Sequence, residues 1–532
     1  MSQPTHALGC DKFYEGKMTI KGRRIFNYRP MVCFAISLIV GILLAEAVYG
    51  VAVWWYIGLL ALLIVCFSLV TAFKKSRKLF YVPLAIMIGF VAMTASNLAY
   101  NDVAFRKYSG TFTAQVSSEI VVENGKARFY LDNVKTDDGE CGYTVYAEAY
   151  LYDVDFSAGD FVQVEGTITF YGHEKFSTYY ALHNQNKVRY HANVSSVQKI
   201  GEGKLKFPDN IQLKIKRILY ENTDDYTSSI AQALVIGDKF GIDGDLYDNI
   251  KASGLAHVLA VSGLHVSTLA GALYFVFKKL KVNPKISFVI VLVATFFYSM
   301  LCSFTASSLR AVVMSGVSMF ASSFGRKKDD LSSLSLAAIL ILLFRPCAIL
   351  DVGFLLSFAS VLGIYAFVRP FERVGDKIVN KISPKRKIGK KFASVCAVSF
   401  ATNLMSYPFV AYFFGQVPVL FLLSNFLILP YIMVVYVIML VLVLLSLITT
   451  WGGFVWLIKY LLLPFRLYVG AIGTLNIASV DSEVGIVGLL FLLTSLLLLS
   501  RFVLLKKSER LKALSITASV GMVVATIVAH FG

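Results

Sequence analysis

Ser262 and His265 stand three residues apart in Val261-Ser262-Gly263-Leu264-His265-Val266, and His257 lies eight residues before His265. A serine and a histidine one helical turn apart could support nucleophilic chemistry. No carboxylate is placed nearby in sequence to orient the imidazole. Side chains that satisfy buried polar contacts where a helix breaks are therefore the better reading. Eight residues put His257 and His265 about 80° apart around a helix, with Ser262-Gly263 as a break between them, which is poor geometry for sharing a metal. The chain has no GxxxxGKS/T phosphate loop, no HExxH pair and no HxHxDH-like run. Hence no catalytic residue, metal site or cofactor is expected. Further polar groups sit at the ends of apolar runs or inside them: Arg310, Asp351, Asn403, Asn425, Lys459 and Arg466. Ionisable groups at membrane depth are costly and face a bundle interior or water. Lys459 and Arg466 read as structural ion pairs or as snorkelling side chains.

The elements that must position these groups are membrane helices. Of the 532 residues 57% are hydrophobic and only 16% charged, and the mean hydropathy is +0.66. A soluble fold could not hide so much apolar surface. Spans are predicted near 31–50, 52–73, 79–98, 257–277, 286–304, 308–325, 332–345, 352–369, 392–414, 431–449, 453–475, 484–505 and 513–531, all but the short 332–345 close to the length that crosses a bilayer. The apolar stretch Pro418–Pro430 is short and holds Asn425. It reads as a half-helix or re-entrant hairpin, with a kinked helix running into 431–449 as the alternative.

The net charge of +18 is distributed as topology rather than as a nucleic-acid footprint. Basic segments at 1–30, 74–78, 278–285, 326–330, 370–391 and 501–512 together exceed the whole net charge. Residues 100–256 carry 16 Lys/Arg against 22 Asp/Glu. The positive-inside rule then places every basic loop in the cytoplasm and the acidic region outside. Within it, Thr111–Val122, Ala127–Val134, Tyr143–Leu151, Phe161–Phe170 and Lys187–Val197 alternate as strands, with a Glu123-Asn124-Gly125-Lys126 hairpin turn. Five short strands fit a small barrel such as an OB-fold. Residues 208–222 form an amphipathic helix that could lie at the interface or pack on the barrel. Seven scattered cysteines show no CxxC spacing, and Cys141 alone lies in 100–256, so that region cannot be stapled internally.

The fold class expected is thus a polytopic α-helical membrane protein with an inserted extracytoplasmic small β-barrel (OB-like) domain. Its parts are a cytoplasmic basic N-terminus (1–30), three transmembrane helices (31–100) and the barrel (105–200). An amphipathic helix and connector (207–256), a transmembrane channel domain (257–475) and C-terminal transmembrane helices (484–532) follow.

One ordered set of motifs is more specific. Ala233-Leu234-Val235-Ile236-Gly237-Asp238 is followed by Ser253-Gly254-Leu255-Ala256-His257-Val258-Leu259-Ala260-Val261-Ser262-Gly263-Leu264-His265-Val266. Then come Leu309-Arg310-Ala311 with Met314 and Gly325-Arg326, Asp351-Val352-Gly353-Phe354-Leu355-Leu356-Ser357-Phe358, and Tyr407-Pro408 leading to Asn425 and Pro430. This order resembles the ComEC-type competence family, closely over 225–435. The resemblance implies uptake of transforming DNA as a single strand across the cytoplasmic membrane. It marks His257, Ser262, Gly263, His265, Arg310, Asp351, Ser357 and Asn425 as channel-core or DNA-path residues. Many family members also carry a metallo-β-lactamase-like domain; here one basic linker and one apolar span follow Leu505, without the metal-binding histidine run. A separate nuclease, a DNA receptor, a cytoplasmic motor and a homo-oligomeric state are the implied partners, beside single-stranded DNA and the bilayer. The rival readings are a small-solute secondary transporter, whose mark would be two matched halves, and a non-transporting membrane scaffold. Arg310 and Asp351 both start helices that run inward from the outer face. They could pair, or Arg310 could meet phosphates with Asp351 holding it.

Overall fold

The computed structural model describes residues 29–50 and 81–500, apart from 151–154, 173–174, 178–187, 326–328, 383–386, 474–478 and isolated positions, with the pairs 19–20 and 23–24 besides. The spans expected at 52–73 and 513–531 lie outside the described residues.

The alternating runs close into a ring. Strands β1 (Lys107–Val116), β2 (Lys126–Thr136), β3 (Thr144–Tyr150), β4 (Phe161–Phe170) and β5 (Val188–Gly201) pair in the order β1-β4-β5-β3-β2, and β2 returns to β1. All pairings are antiparallel except β3–β5. This is the five-stranded Greek-key barrel of an OB-fold. Inward residues fill it, among them Phe112, Val116, Phe129, Leu131, Val145, Ala147, Val164, Ile168 and Tyr190. The expected hairpin is present: Val121–Glu123 pairs with Lys126–Arg128, and Gly125 takes φ +76° at the tip.

Among the described residues seven helices are long and apolar enough to span a membrane: Pro30–Val48, Tyr81–Asn101, Pro284–Leu301, Val352–Asn380, Gly389–Phe414, Phe421–Thr449 and Gly452–Gly473. The protein is a multi-pass membrane protein with an inserted small barrel. In chain order the helices used below are α1 (Pro30–Val48), α2 (Tyr81–Asn101), α3 (Asp209–Asn222), α4 (Asp225–Val235), α5 (Gly244–Ala252), α6 (Gly263–Lys279), α7 (Pro284–Leu301) and α8 (Ala306–Ser323). They continue as α9 (Asp330–Phe344), α10 (Val352–Ile382), α11 (Lys387–Phe414), α12 (Phe421–Thr449), α13 (Ile458–Gly473) and α14 (Ile486–Leu499).

The chain divides into two compact units, Leu38–Ser357 with Pro418–Val480, and Met1–Ser37 with Phe358–Val417 and Asp481–Gly532. In the first unit α1 and α2 approach until a Cβ on Gly41 would strike the Ile86 carbonyl and one on Gly89 the Leu38 carbonyl. Small residues permit this closeness where lipid offers no hydrophobic drive to association. The barrel is tied to the end of α2: Arg189 Nη1 donates to the carbonyls of Ala99 at 2.5 Å and Tyr100 at 3.0 Å. Buried Glu46 on α1 accepts from Asn97 Nδ2 and from the Phe176 amide, both at 3.0 Å. In the second unit Phe367, Ala401 and Leu496 share a small core.

Helix α3 packs in protein. Ile215 and Leu219 join a core with Leu234, Ile432, Leu462 and Phe465, while Lys216 reaches Glu119 at 3.8 Å and also pairs with Asp238. Arg466 stacks over Tyr226 and lies 3.5 Å from Asp224, a structural ion pair as expected. The half-helix reading of Pro418–Pro430 is corrected: α12 runs unbroken through Pro430 to Thr449. Membrane helices tolerate proline because neighbours and local adjustments satisfy the carbonyl it frees.

Candidate functional site

The helix expected across 257–277 breaks at its motif. Ala256–Leu259 forms one short turn, and α6 restarts at Gly263 with Ser262 as its N-cap. Ser262 Oγ accepts the Leu264 amide at 3.3 Å, and His265 Nδ1 lies 3.1 Å from the Ser262 amide, which donates to it. Ser262 Oγ is also 3.0 Å from Nδ1. Serine and histidine therefore close the first turn of α6 reciprocally, in the manner of a capping box. The amide bond to Nδ1 leaves the proton of a neutral ring on Nε2. That nitrogen is buried without a hydrogen-bond partner among the described residues. The ring meets Tyr436 edge-on at 4.7 Å.

Next to this cap lies a polar knot. Arg310 on α8 is 9% exposed. Its Nε donates to Ser357 Oγ at 2.8 Å, Ser357 Oγ donates to Ser307 Oγ at 3.0 Å, and the Gly263 amide donates to Ser307 Oγ at 2.9 Å. A Cβ on Gly263 would run into Arg310 Nη2, so glycine is what lets the guanidinium lie against the start of α6. Gly263, Arg310 and Ser357 are thus brought together, 94 positions apart at their extremes, with Ser262 and His265 adjoining through the α6 cap. Spans are expected from sequence at 257–277 and 308–325, but neither α6 nor α8 is among the seven helices that are long and apolar enough to cross a membrane: the break at Ser262 shortens α6 to 17 residues, and α8 carries Arg310 and several serines.

The other candidates stand apart from the knot. His257 is exposed, with Nδ1 3.0 Å from the Gly254 carbonyl. Asn425 has a buried Oδ1 without a partner among the described residues; its neighbour Ser424 donates to the Ser253 carbonyl at 2.5 Å. Asp351 does not serve Arg310. Its Oδ1 accepts the Gly353 amide at 3.0 Å, at the N-terminus of α10. The pairing expected from similar depth gives way to a local bond, because an aspartate before a helix finds an unsatisfied amide two residues on. Ser307 was not singled out by sequence; its signal is the Ser307-Ser308 pair before Arg310. Among the described residues no three His, Cys, Asp or Glu side chains gather as a metal site.

A second constellation lies on the outer face of β2, β3 and β5. Register sets Arg128 opposite Glu148, Tyr130 opposite Tyr146, and Tyr146 opposite His191. The rings form a row: Tyr130–Tyr146 at 5.5 Å, Tyr146–His191 at 5.8 Å and His191–Tyr171 at 6.0 Å. Glu148 sits among Lys126 at 2.5 Å, Arg128 at 3.6 Å and His191 Nε2 at 3.6 Å, and accepts the Tyr146 hydroxyl at 3.0 Å. Burial acts to raise its carboxyl pKa, but the bonds from Lys126 and Tyr146 and the charges of Lys126 and His191 hold it below the usual value. Tyrosine rings beside basic side chains on a barrel face are what a single nucleic-acid strand needs: surfaces for bases and charges for phosphates. Alternation in sequence marks these residues as outward, but no motif assembles them.

Residues 234–509 match the competence protein family. Over 405 residues the chain is 24% identical to ComE operon protein 3 of Bacillus subtilis (strain 168), an alignment covering 73% of this chain and 49% of that protein. The chain thus spans about half the length of that relative. No solved structure matches.

Proposed function

The chain belongs to the competence protein family, and from that premise we propose that it is a channel carrying single-stranded DNA across the cytoplasmic membrane. The observation that carries this reading is the knot of Gly263, Ser307, Arg310 and Ser357, a buried cation fixed by hydroxyls between helices. A phosphodiester strand cannot cross hydrocarbon without a polar path. The broken start of α6 adds a helix N-terminus, whose dipole favours anions. The aromatic row on the barrel supports a station for the strand before it reaches the helices. In this reading the barrel is extracytoplasmic and residues 1–30, 370–391 and 506–512 are cytoplasmic, following the charge distribution. A nuclease, a DNA receptor and an inward-pulling motor act with it as partners.

The test is passage of labelled single-stranded DNA into liposomes holding the purified chain, beside small solutes of either charge. Strand passage without solute passage supports the channel. Solute passage alone replaces it with a permease, and neither leaves a scaffold. Labelling of single cysteines in cells reports orientation: a cysteine at residue 150 that reacts only after permeabilisation reverses the proposed topology.

A further inference from the structure

The row of rings on β2, β3 and β5 surrounds a carboxylate, which is an odd feature for a surface that would receive phosphates. Glu148 has 18% of its side chain exposed, Lys126 27%, His191 23% and Arg128 36%. The four groups form one accessible, preassembled cluster. Glu148 collects two cationic side chains, an imidazole nitrogen and a phenol hydroxyl. Those donors are the ones a phosphodiester oxygen would take. The rings flanking the carboxylate follow at 5.5 to 6.0 Å from one another, and Lys126 also lies over exposed Tyr150 at 5.8 Å.

We propose that Glu148 is a phosphate surrogate: it holds Lys126, Arg128 and His191 in the empty barrel and is displaced when a phosphate of a single nucleic-acid strand takes its place among them. This deepens, and rests on, the strand-binding reading of the barrel. The charge logic is direct. With Glu148 in place the cations are oriented and answered, so anions bind only if they compete with it. A polyanion laying bases on Tyr130 and Tyr146 supplies that competition through stacking, whereas a free anion does not. Glu148 thereby weakens binding, sharpens it toward strands with bases, and keeps a bound strand releasable for passage onward.

The experiment uses the full chain in lipid nanodiscs and a labelled oligothymidylate of about 12 nucleotides, within the span of one barrel, with fluorescence polarisation as readout. Glu148→Gln keeps the side chain's shape and an acceptor for Tyr146 and Lys126 while removing the charge. It is expected to bind about fivefold to tenfold tighter, with a steeper salt dependence, because the freed cations meet phosphate. Glu148→Asp withdraws the carboxylate by one methylene and is expected to tighten binding less; it carries the test if the Gln variant is not recovered folded. Lys126→Gln should weaken binding, and an abasic strand should bind the native chain poorly yet gain most from Glu148→Gln. Unchanged or weaker binding in the Glu148 variants, while Lys126→Gln and Tyr130→Ala still weaken it, overturns the surrogate and leaves the platform standing. Native binding in Lys126→Gln and Tyr130→Ala removes the platform itself, whatever Glu148 does.

Discussion

On the barrel, Lys126 and Arg128 have their charges answered by a carboxylate 2.5 and 3.6 Å away; between the helices, Arg310 is held by a serine hydroxyl at 2.8 Å. Both arrangements hold a cation in one direction, but they differ in what the holder does to the field. A carboxylate cancels charge, and water at the barrel face makes exchange for another anion inexpensive. A hydroxyl is a neutral acceptor that fixes the direction of the guanidinium between helices, and in an apolar bundle electrostatic interactions are screened less than at a wet surface. The contrast suggests a division of work: exchangeable capture on the barrel and a fixed guide among the helices. Each half of it can be broken separately.

The largest effect should come from Arg310. Arg310→Gln removes the cation and leaves Ser357 and Ser307 to each other; loss of a charge-assisted bond of about 1.5–3 kcal/mol corresponds to roughly a tenfold to hundredfold fall in strand passage. Membrane levels should stay near normal if the residue guides the strand. Gly263→Ala is the sharper probe, because the new methyl displaces the Nη2 end of a flexible side chain and not a backbone group. It should cost about 1–3 kcal/mol of stability and depress passage nearly as far as Arg310→Gln. A melting temperature that collapses while the surviving protein transports normally would assign the knot to folding alone.

On the barrel the leading effect is on stability, and pH exposes it. Asp160 is 5% exposed and accepts from the Ser157 amide at 2.9 Å, with Lys199 at 3.0 Å. Burial acts to raise its carboxyl pKa, but the Ser157 and Lys199 bonds win and depress it. Glu148 is depressed for the same kind of reason. A carboxylate whose folded pKa lies below its unfolded one contributes stability that is complete above the unfolded value, about 4, and fades as pH falls through the folded one. The barrel should therefore hold its stability above about pH 5 and lose it progressively below about pH 4. Asp160→Asn should flatten that acid limb and lower stability at neutral pH by about 1–3 kcal/mol. An acid limb unchanged in Asp160→Asn would show that other carboxylates set it.

The barrel and the knot also differ in how far they could be read from sequence. Alternation at Lys126, Arg128, Tyr130 and at Tyr146, Glu148 gives strands and outward faces. It cannot give register, and register is what sets Tyr130 opposite Tyr146 and Arg128 opposite Glu148. The parallel pairing of β3 with β5 brings His191 into the row from 45 residues away. In the helices, composition located most spans, and the break at Ser262-Gly263 was visible in the residues themselves. That Arg310 chooses Ser357 over Asp351 was not visible. Depth arguments rank residues by position along the bilayer normal, whereas a side chain chooses by the direction in which its helix presents it. Pro430 misled for a related reason: proline signals a break in water, where a freed carbonyl is readily solvated, but not reliably in a packed bundle.

The smallest expected effect tests the contrast at its edge. If Asp351 were the counter-charge of Arg310, the knot would resemble the barrel cluster, and hydroxyl-held guidance would be the wrong description. The local geometry makes Asp351 a helix cap: its backbone is extended, at φ −76° and ψ 126°, its carbonyl accepts the Leu355 amide at 3.0 Å, and its carboxylate accepts the Gly353 amide. A cap works through an acceptor atom and does not need a full charge. Asp351→Asn and Asp351→Ser should accordingly retain stability within about 0.5 kcal/mol, and Asp351→Ala should lose about 1 kcal/mol. A counter-ion would behave otherwise, with Asn nearly as harmful as Ala because either leaves a buried guanidinium without its partner. The exchange of the two residues, Arg310→Asp with Asp351→Arg, separates the readings again: a pair recovers folded protein, whereas a cap replaced by arginine and a knot replaced by aspartate do not. Recovery in the exchanged variant, measured as folded protein in the membrane, would return Asp351 to the knot.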